Sequence, residues 1–351
     1  MIKILMTFDE AYAPHAAAVI TGLIRYSSVP LAFAVMHRGI SEHCIKRFVD
    51  YYHKKNIHID FIKVDFPHEI MEIIDNIESQ EHLKGKYDSY LRLLAPEYIE
   101  DDEVIYLDCD IVVNGDIALM MDEINRSKLL CAVKEHDPLH KLRSFASIDD
   151  YQYPASLEEY IIRDAFFYRL KNYYKMNMSS PYFCAGIMFM NLKKWREERL
   201  LEKIITKMRE TKLFISADQD VLNSVIDGDF GVLSPKWNSF VVQQGIMLNY
   251  TSSELKEAIE NPIIVHMPGA SKPWNKNLGG KYRRQYWDFR LDTPWPESYS
   301  FPITKRCFSV LKSSCKIVIK QILVTLRLCP ERHSKNGFSS SIFADAYTHL
   351  K

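Results

Sequence analysis

The chain has 351 residues, enough for about two domains at roughly 150 residues each. It is 47% hydrophobic and 26% charged, with 12 Gly and 15 Pro, a globular balance that excludes disordered, collagen-like and low-complexity classes. Basic and acidic residues number 45 each, which excludes a nucleic-acid binder relying on overall positive charge. The balance is uneven, however. Between Ile303 and Lys335 eight basic residues face one acid, Glu331, leaving that tail at +7 and the rest of the chain at −7. The seven cysteines are odd in number and show no CxxC spacing, so neither a disulfide framework nor a thiolate zinc site is expected, and a reducing compartment fits.

In chain order, Ile2–Met6 reads as a first strand rather than a signal-peptide core, because it is short and soon meets an acid. Apolar residues at Val19, Ile20, Leu23 and Ile24 give His15–Tyr26 helical spacing. Leu31–Met36 is a predicted strand, Ser41–Lys54 a helix opened by Ser41, and Ile57–Val64 a strand. Tyr87–Leu94 is expected to be helical and to stop before Pro96, and Glu103–Leu107 is a buried strand ending on Asp108. Residues 144–180 turn Tyr-rich and read as an inserted helical segment. Tyr182–Asn191 is then a strand, Lys193–Thr211 a helix, 218–226 another helix and Pro262–His266 a last strand. The alternation predicts an α/β fold with a mostly parallel central sheet. Residues 294–302, punctuated by Pro and Ser, are expected to link a body over 1–293 to a basic tail over 303–351.

Asp108-Cys109-Asp110 is the sharpest chemical feature. The run Val104–Leu107 carries it to the carboxyl edge of a sheet, where open α/β folds bind ligands. Two carboxylates there can turn toward one hard cation, although a solvated strand-end turn reads the same way. His266 follows Ile263-Ile264-Val265 and precedes Gly269 and Lys272. An imidazole, a close-approaching backbone and an ammonium could together hold a metal diphosphate; a merely satisfied polar residue is the plainer reading of His266. Asp218-Gln219-Asp220 opens a helix, as cap and dipole partner or as a clasp for sugar hydroxyls. Asp9 and Tyr12 sit after the first strand, in an ordinary βα loop or a nucleobase pocket. No G-x-G-x-x-G, Walker A, H-E-x-x-H or G-x-S-x-G pattern occurs, which sets aside the enzyme classes they mark.

The order of the motifs is informative. It runs T-x-D-x-x-Y (Thr7–Tyr12), S-Y-x-R-L (Ser89–Leu93), D-x-D and Y-F-x-A-G-x-x-x-x-N-L-K-K-W (Tyr182–Trp195). D-Q-D (Asp218–Asp220) and H-x-x-G-x-x-K-P-W (His266–Trp274) complete it. This order resembles the retaining glycosyltransferases of family 8, which include glycogenin and bacterial lipopolysaccharide and lipo-oligosaccharide galactosyl- and glucosyltransferases. The likeness covers roughly residues 1–290 and extends to the basic tail.

The resemblance implies a GT-A fold, a UDP-hexose donor carrying galactose or glucose, and Mn²⁺, with Mg²⁺ as the alternative ion. It implies Asp108, Asp110 and His266 as metal ligands, Asp9 and Tyr12 as uracil and ribose contacts, and Gly269 and Lys272 as diphosphate contacts. Arg92 would reach the donor. Cys109, Glu135, Cys184 and Ala185 would fall in the donor site. Asp218 and Gln219 would hold the transferred hexose, with Gln219 facing the anomeric carbon. Two departures stand out: Ala11 replaces a frequent Asn, and Cys184 replaces an Asn that contacts the donor sugar. A thiol is a poor hydrogen-bonder, so the hydroxyl read at that point changes.

Two other classes compete. A haloacid-dehalogenase-type phosphatase would use Asp108 as nucleophile and Asp110 as acid/base, but its motif normally opens the domain, and here a long βα stretch precedes it. A non-catalytic sugar-nucleotide-binding protein is the other. In the tail, Lys312, Lys316 and Lys320 form one helical stripe, with Val310, Leu311, Ile317, Val318, Ile322 and Leu326 as its apolar complement. That pattern predicts a segment lying on an anionic membrane surface; a helix packed on the body would look similar. A cytoplasmic enzyme, peripheral on the inner face of the membrane and acting on a glycan or glycolipid acceptor, is the resulting expectation.

Overall fold

A computed structural model describes residues 1–76, 87–134, 170, 172–177, 180–211, 214, 216–240, 258–269, 272–275 and 280–298. Glu135, nearly all of the aromatic segment 144–180, and the basic tail lie outside the described residues.

Strand β1 (Ile2–Thr7) is followed by helix α1 (Ala13–Tyr26), with Pro14 in its first turn, where a missing N–H costs nothing. Next come β2 (Leu31–His37), α2 (Glu42–His53), β3 (His58–Lys63) and α3 (His68–Asn76). Ser41 caps α2 by accepting from Cys44 N at 3.3 Å. Tyr87–Leu94 is a 3₁₀ helix that does not stop before Pro96. It runs into α4 (Ala95–Tyr98), whose first turn accommodates that proline. Strand β4 (Glu103–Leu107) has the predicted bounds, and β5 (Ile111–Val113), β6 (Leu130–Lys134) and β7 (Phe183–Asn191) follow.

The single helix expected over Lys193–Thr211 is two, α5 (Leu192–Glu197) and α6 (Leu200–Glu210). Arg199 between them adopts a left-handed backbone, φ 54°, and the break lets Trp195, Leu200, Ile204 and Met208 all reach one core. Helix α7 (Ala217–Ile226), β8 (Gly231–Val232), β9 (Ser239–Phe240), β10 (Ile264–His266) and α8 (Lys281–Leu291) complete the described elements.

Among the described residues the main sheet has seven strands in the order β3-β2-β1-β4-β7-β6-β8. Strands β3, β2, β1 and β4 are mutually parallel, β7 is antiparallel to β4 and β6, and β8 is parallel to β6. All seven β2 residues are buried, as expected of a parallel strand covered on both faces. Alternate residues supply the two sides. Leu5, Ala34, Met36, Tyr106 and Met188 pack toward α3, α6 and α7, while Ile4, Met6, Phe33, Ile105 and Phe189 pack toward α1 and α2. A second sheet has the order β5-β10-β9 and is joined to the carboxyl end of β4 through Asp108–Asp110. Residues Met1–Tyr299 form one compact unit. The expected linker begins fastened to it: Arg47 donates to Pro294 O through Nη2 at 2.6 Å, and Trp295 packs against Phe48. Among the described residues no helix is long and apolar enough to cross a membrane.

Asn223 ties α7 to the start of β7. Its Oδ1 accepts from Phe183 N at 2.8 Å and its Nδ2 donates to Phe183 O at 2.9 Å, in full burial. Asn223→Leu keeps the volume and strands two buried backbone groups, so urea unfolding should show a loss of about 2 to 5 kcal/mol; a negligible change would mean the tie is dispensable. On the other side, His15 of α1 stacks on Trp274 at 3.7 Å and meets the Tyr286 hydroxyl at 2.6 Å. Burial, with Arg290 nearby, lowers its pKa to about 4. Between pH 6.5 and 4 the unfolded chain binds a proton that the folded chain refuses, so stability falls as pH drops through that window. His15→Gln should flatten that slope in melting temperatures taken across it.

Candidate active site

The D-x-D segment leaves β4 with Asp108 N donating to Gly186 O of β7 at 2.8 Å. Asp110 directly precedes β5, and β5 runs antiparallel to β10 with Ile111 opposite His266. That register brings Asp108, Asp110 and His266 together, each offering one ligand atom within 4.8 Å of the others. His266 Nε2 lies 3.2 Å from Asp110 Oδ1 and 4.0 Å from Asp108 Oδ2. Gly186 makes room for them. A Cβ there would stand 2.5 Å from His266 Cε1 and 2.8 Å from Asp108 Oδ2.

Each of the three has a partner that fixes its orientation. Asp108 Oδ1 accepts from Arg92 Nη2 at 3.1 Å and from the Tyr106 hydroxyl at 2.8 Å, and Oδ2 is its oxygen nearer His266. Asp110 Oδ2 forms an ion pair with Lys272. Against the cost of burial, His266 and Lys272 hold the Asp110 carboxyl well below the usual range. Asp110 in turn holds the buried His266 imidazole well above its ordinary value. His266 Nδ1 is 2.9 Å from Asn238 Oδ1 and 3.9 Å from Cys184 Sγ.

Arg92 is walled in. It lies over the Tyr106 ring at 4.1 Å and donates through Nη1 to Ala185 O at 2.7 Å. Its Nε meets Asp218 Oδ2 at 3.1 Å. Burial pushes Asp218 up to about 6 against the pull of Arg92, and Asp108 adds to the rise. Gln219 is pinned to β7, its Oε1 accepting from Ala185 N at 3.0 Å. Asp220, the third residue of D-Q-D, accepts from Tyr174, Tyr182 and Ser216 N and so anchors the helix start.

Asp9 and Tyr12 lie at the rim. Asp9 is exposed and accepts from Tyr12 N at 3.0 Å, which is the local turn reading; the Tyr12 ring stands edge-on to Trp274 at 5.5 Å. Lys272 belongs to the same loop as Trp274. Gly269 has φ +63°, a left-handed backbone that suits glycine. Cys109 is buried, and burial pushes its thiol well above the ordinary value. Cys184 lies against the far nitrogen of His266.

Tyr106 and Asn238 are absent from the sequence reading. Strand alternation puts Tyr106 on the face of Asp108, a signal that could have found it. No pattern marks Asn238. Two carboxylates and an imidazole form an oxygen-rich donor set suited to Mn²⁺ or Mg²⁺, so the residues present fit a divalent ion.

A family model described as "Glycosyl transferase family 8" matches residues 3–278. General stress protein A of Bacillus subtilis (strain 168) is 26% identical over 310 residues, covering 84% of this chain and 95% of its own. The lipopolysaccharide 1,2-glucosyltransferase of Escherichia coli (strain K12) is 25% identical over 191 residues, 53% of this chain and 49% of its own. The solved structure of the galactosyltransferase LgtC in complex with donor and acceptor sugar analogues superposes with a TM-score of 0.63 at 20% identity. It covers 87% of this chain and 99% of that one, a likeness that shows the shared GT-A fold. With motif order, sheet topology and family match in agreement, the chain belongs to glycosyltransferase family 8.

Proposed function

We propose that the chain transfers galactose or glucose from a UDP-sugar to a glycan or glycolipid acceptor, with retention at the anomeric carbon and dependence on a divalent cation. The observation that carries this is the convergence of Asp108, Asp110 and His266 beside Lys272. A divalent ion held by the three side chains supplies charge stabilisation to a departing diphosphate. The chain's own residues do the rest. Lys272 adds a positive charge at the diphosphate, on a stem long enough to leave Asp110. Gly269 lets the backbone approach the phosphates. Arg92, Asp218 and Gln219 bind and orient the hexose, and Tyr12 with Asp9 receives the nucleoside. The C1–O bond to the diphosphate breaks with its electron pair on the leaving oxygen. The acceptor hydroxyl bonds to C1 from the same face, and its proton passes to the leaving diphosphate. Gln219 faces C1 as an amide, a weak nucleophile, which favours this front-face route over a covalent intermediate. The basic stripe of the tail supports, from its sequence pattern alone, a role in holding the enzyme at an anionic membrane where a glycolipid acceptor resides.

Asp110→Asn should lower Mn²⁺-dependent UDP release from a UDP-hexose at least ~100-fold, with the chain still folded by circular dichroism; EDTA should do the same to the release by the parent chain. Near-normal release in the variant would overturn the ligand assignment. Lys272→Met separates two roles. Without nucleotide, Asp110 loses a competing cation, so calorimetry should show Mn²⁺ binding several-fold tighter, while UDP binding with Mn²⁺ present weakens about tenfold. Loss of both affinities would show that Lys272 does not exchange between Asp110 and the diphosphate.

A further inference from the structure

A histidine that ligates through Nε2 must present a lone pair there. A neutral imidazole carries one N–H and one lone pair, so the partner of the other nitrogen decides which atom can ligate. In His266 the two nitrogens face different surroundings. Nε2 is turned to Asp110 and Asp108, at 3.2 and 4.0 Å. Nδ1 is turned to Asn238 Oδ1 at 2.9 Å, with Cys184 Sγ more distant at 3.9 Å. A thiol is a weak acceptor, so the carboxamide oxygen is the effective partner.

Asn238 is fixed in place independently of this bond. It is 1% exposed and lies between the buried Trp237 and Ser239, which pairs with Val265 in β9 and β10. Lys236 O accepts from Ile263 N at 2.9 Å, so the segment is stitched to β10 on both sides of Asn238. Its Nδ2 has no hydrogen-bond partner among the described residues, an arrangement that costs stability and leaves the oxygen as the atom with a purpose. The opposite amide orientation would donate to Nδ1 and place the proton on Nε2, which is incompatible with ligation.

We propose that Asn238 is a positioning residue that holds His266 with its proton on Nδ1 and its lone pair on Nε2, toward the cation. This rests on the metal-site reading above. Three measurements on the full chain test it. Asn238→Asp keeps an oxygen acceptor and offers no N–H donor; calorimetric Mn²⁺ affinity should stay within about threefold of the parent or improve. Asn238→Leu keeps the volume and removes the acceptor; Mn²⁺ affinity should fall about 10- to 100-fold. In the unsubstituted chain loaded with Mg²⁺, imidazole ¹⁵N shifts, assigned against His266→Gln, should report a proton on Nδ1.

Parent-like Mn²⁺ binding by Asn238→Leu would overturn the proposal, as would equal loss in the Asp and Leu variants or a proton found on Nε2. The ¹⁵N measurement needs no variant at position 238 and overturns the proposal by itself if the proton lies on Nε2. A parent chain that binds no Mn²⁺ would overturn the metal-site reading itself, and this proposal with it, whereas failure of Asn238→Leu to differ would leave that reading standing.

Discussion

The antiparallel pairing of β5 with β10 is the constraint on which the site depends. Asp110 stands immediately before β5 and His266 is the last residue of β10, so a single register, Ile111 opposite His266, sets the imidazole beside the carboxylate. Side chains alternate across a strand, so a one-residue slip would exchange His266 with Val265. The imidazole would then enter the apolar cluster of Ala18, Val112 and Tyr286, where a charged ring has no partner. Gly186 completes the constraint from the main sheet, because any side chain there would collide with both Asp108 and His266.

Two carboxylates brought this close in a largely buried place need compensation, since burial of like charges is costly. The chain provides it in two forms. Arg92 is enclosed by the Tyr106 ring, Ala185 O, Asp108 and Asp218, so it has no alternative position and fixes the orientation of Asp108. Lys272 reaches Asp110 from a loop, on a flexible stem, and keeps about a quarter of its side chain exposed. Fixed compensation on one carboxylate and exchangeable compensation on the other is the arrangement that the proposed exchange of a cation and a charged diphosphate would require.

Much of this was legible in the sequence, because it is written in strand ends. Val104–Leu107 is apolar enough to force burial of β4, and whatever follows must surface at the sheet edge; the same holds for Ile263–Val265 and His266. What escaped carries no periodicity. Strands β5, β8 and β9 have two or three residues each, too few for alternation to register, so the partners of β10 in the second sheet were not visible. The break at Arg199 involves neither Gly nor Pro and is imposed by packing of Trp195 and Leu200 into one core. Asn238 is close to His266 only through that unseen sheet.

The D-Q-D tripeptide shows how helix geometry divides labour among neighbours. Successive side chains point about 100° apart on a helix, so three adjacent polar residues address three different places. Asp220 turns into the body, where two tyrosine hydroxyls and Ser216 N satisfy it. That fastening fixes the axis of α7 and thereby aims the other two. Gln219 reaches Ala185 N on β7, and Asp218 reaches Arg92. An asparagine at 218 would nearly preserve shape and remove the charge, leaving Arg92 with Asp108 as its remaining carboxylate partner. The guanidinium would then offset more of the charge on Asp108, one of the three residues of the candidate cation site. The carboxylate of Asp218 therefore shares Arg92 with Asp108 and limits how far that arginine offsets the charge of Asp108.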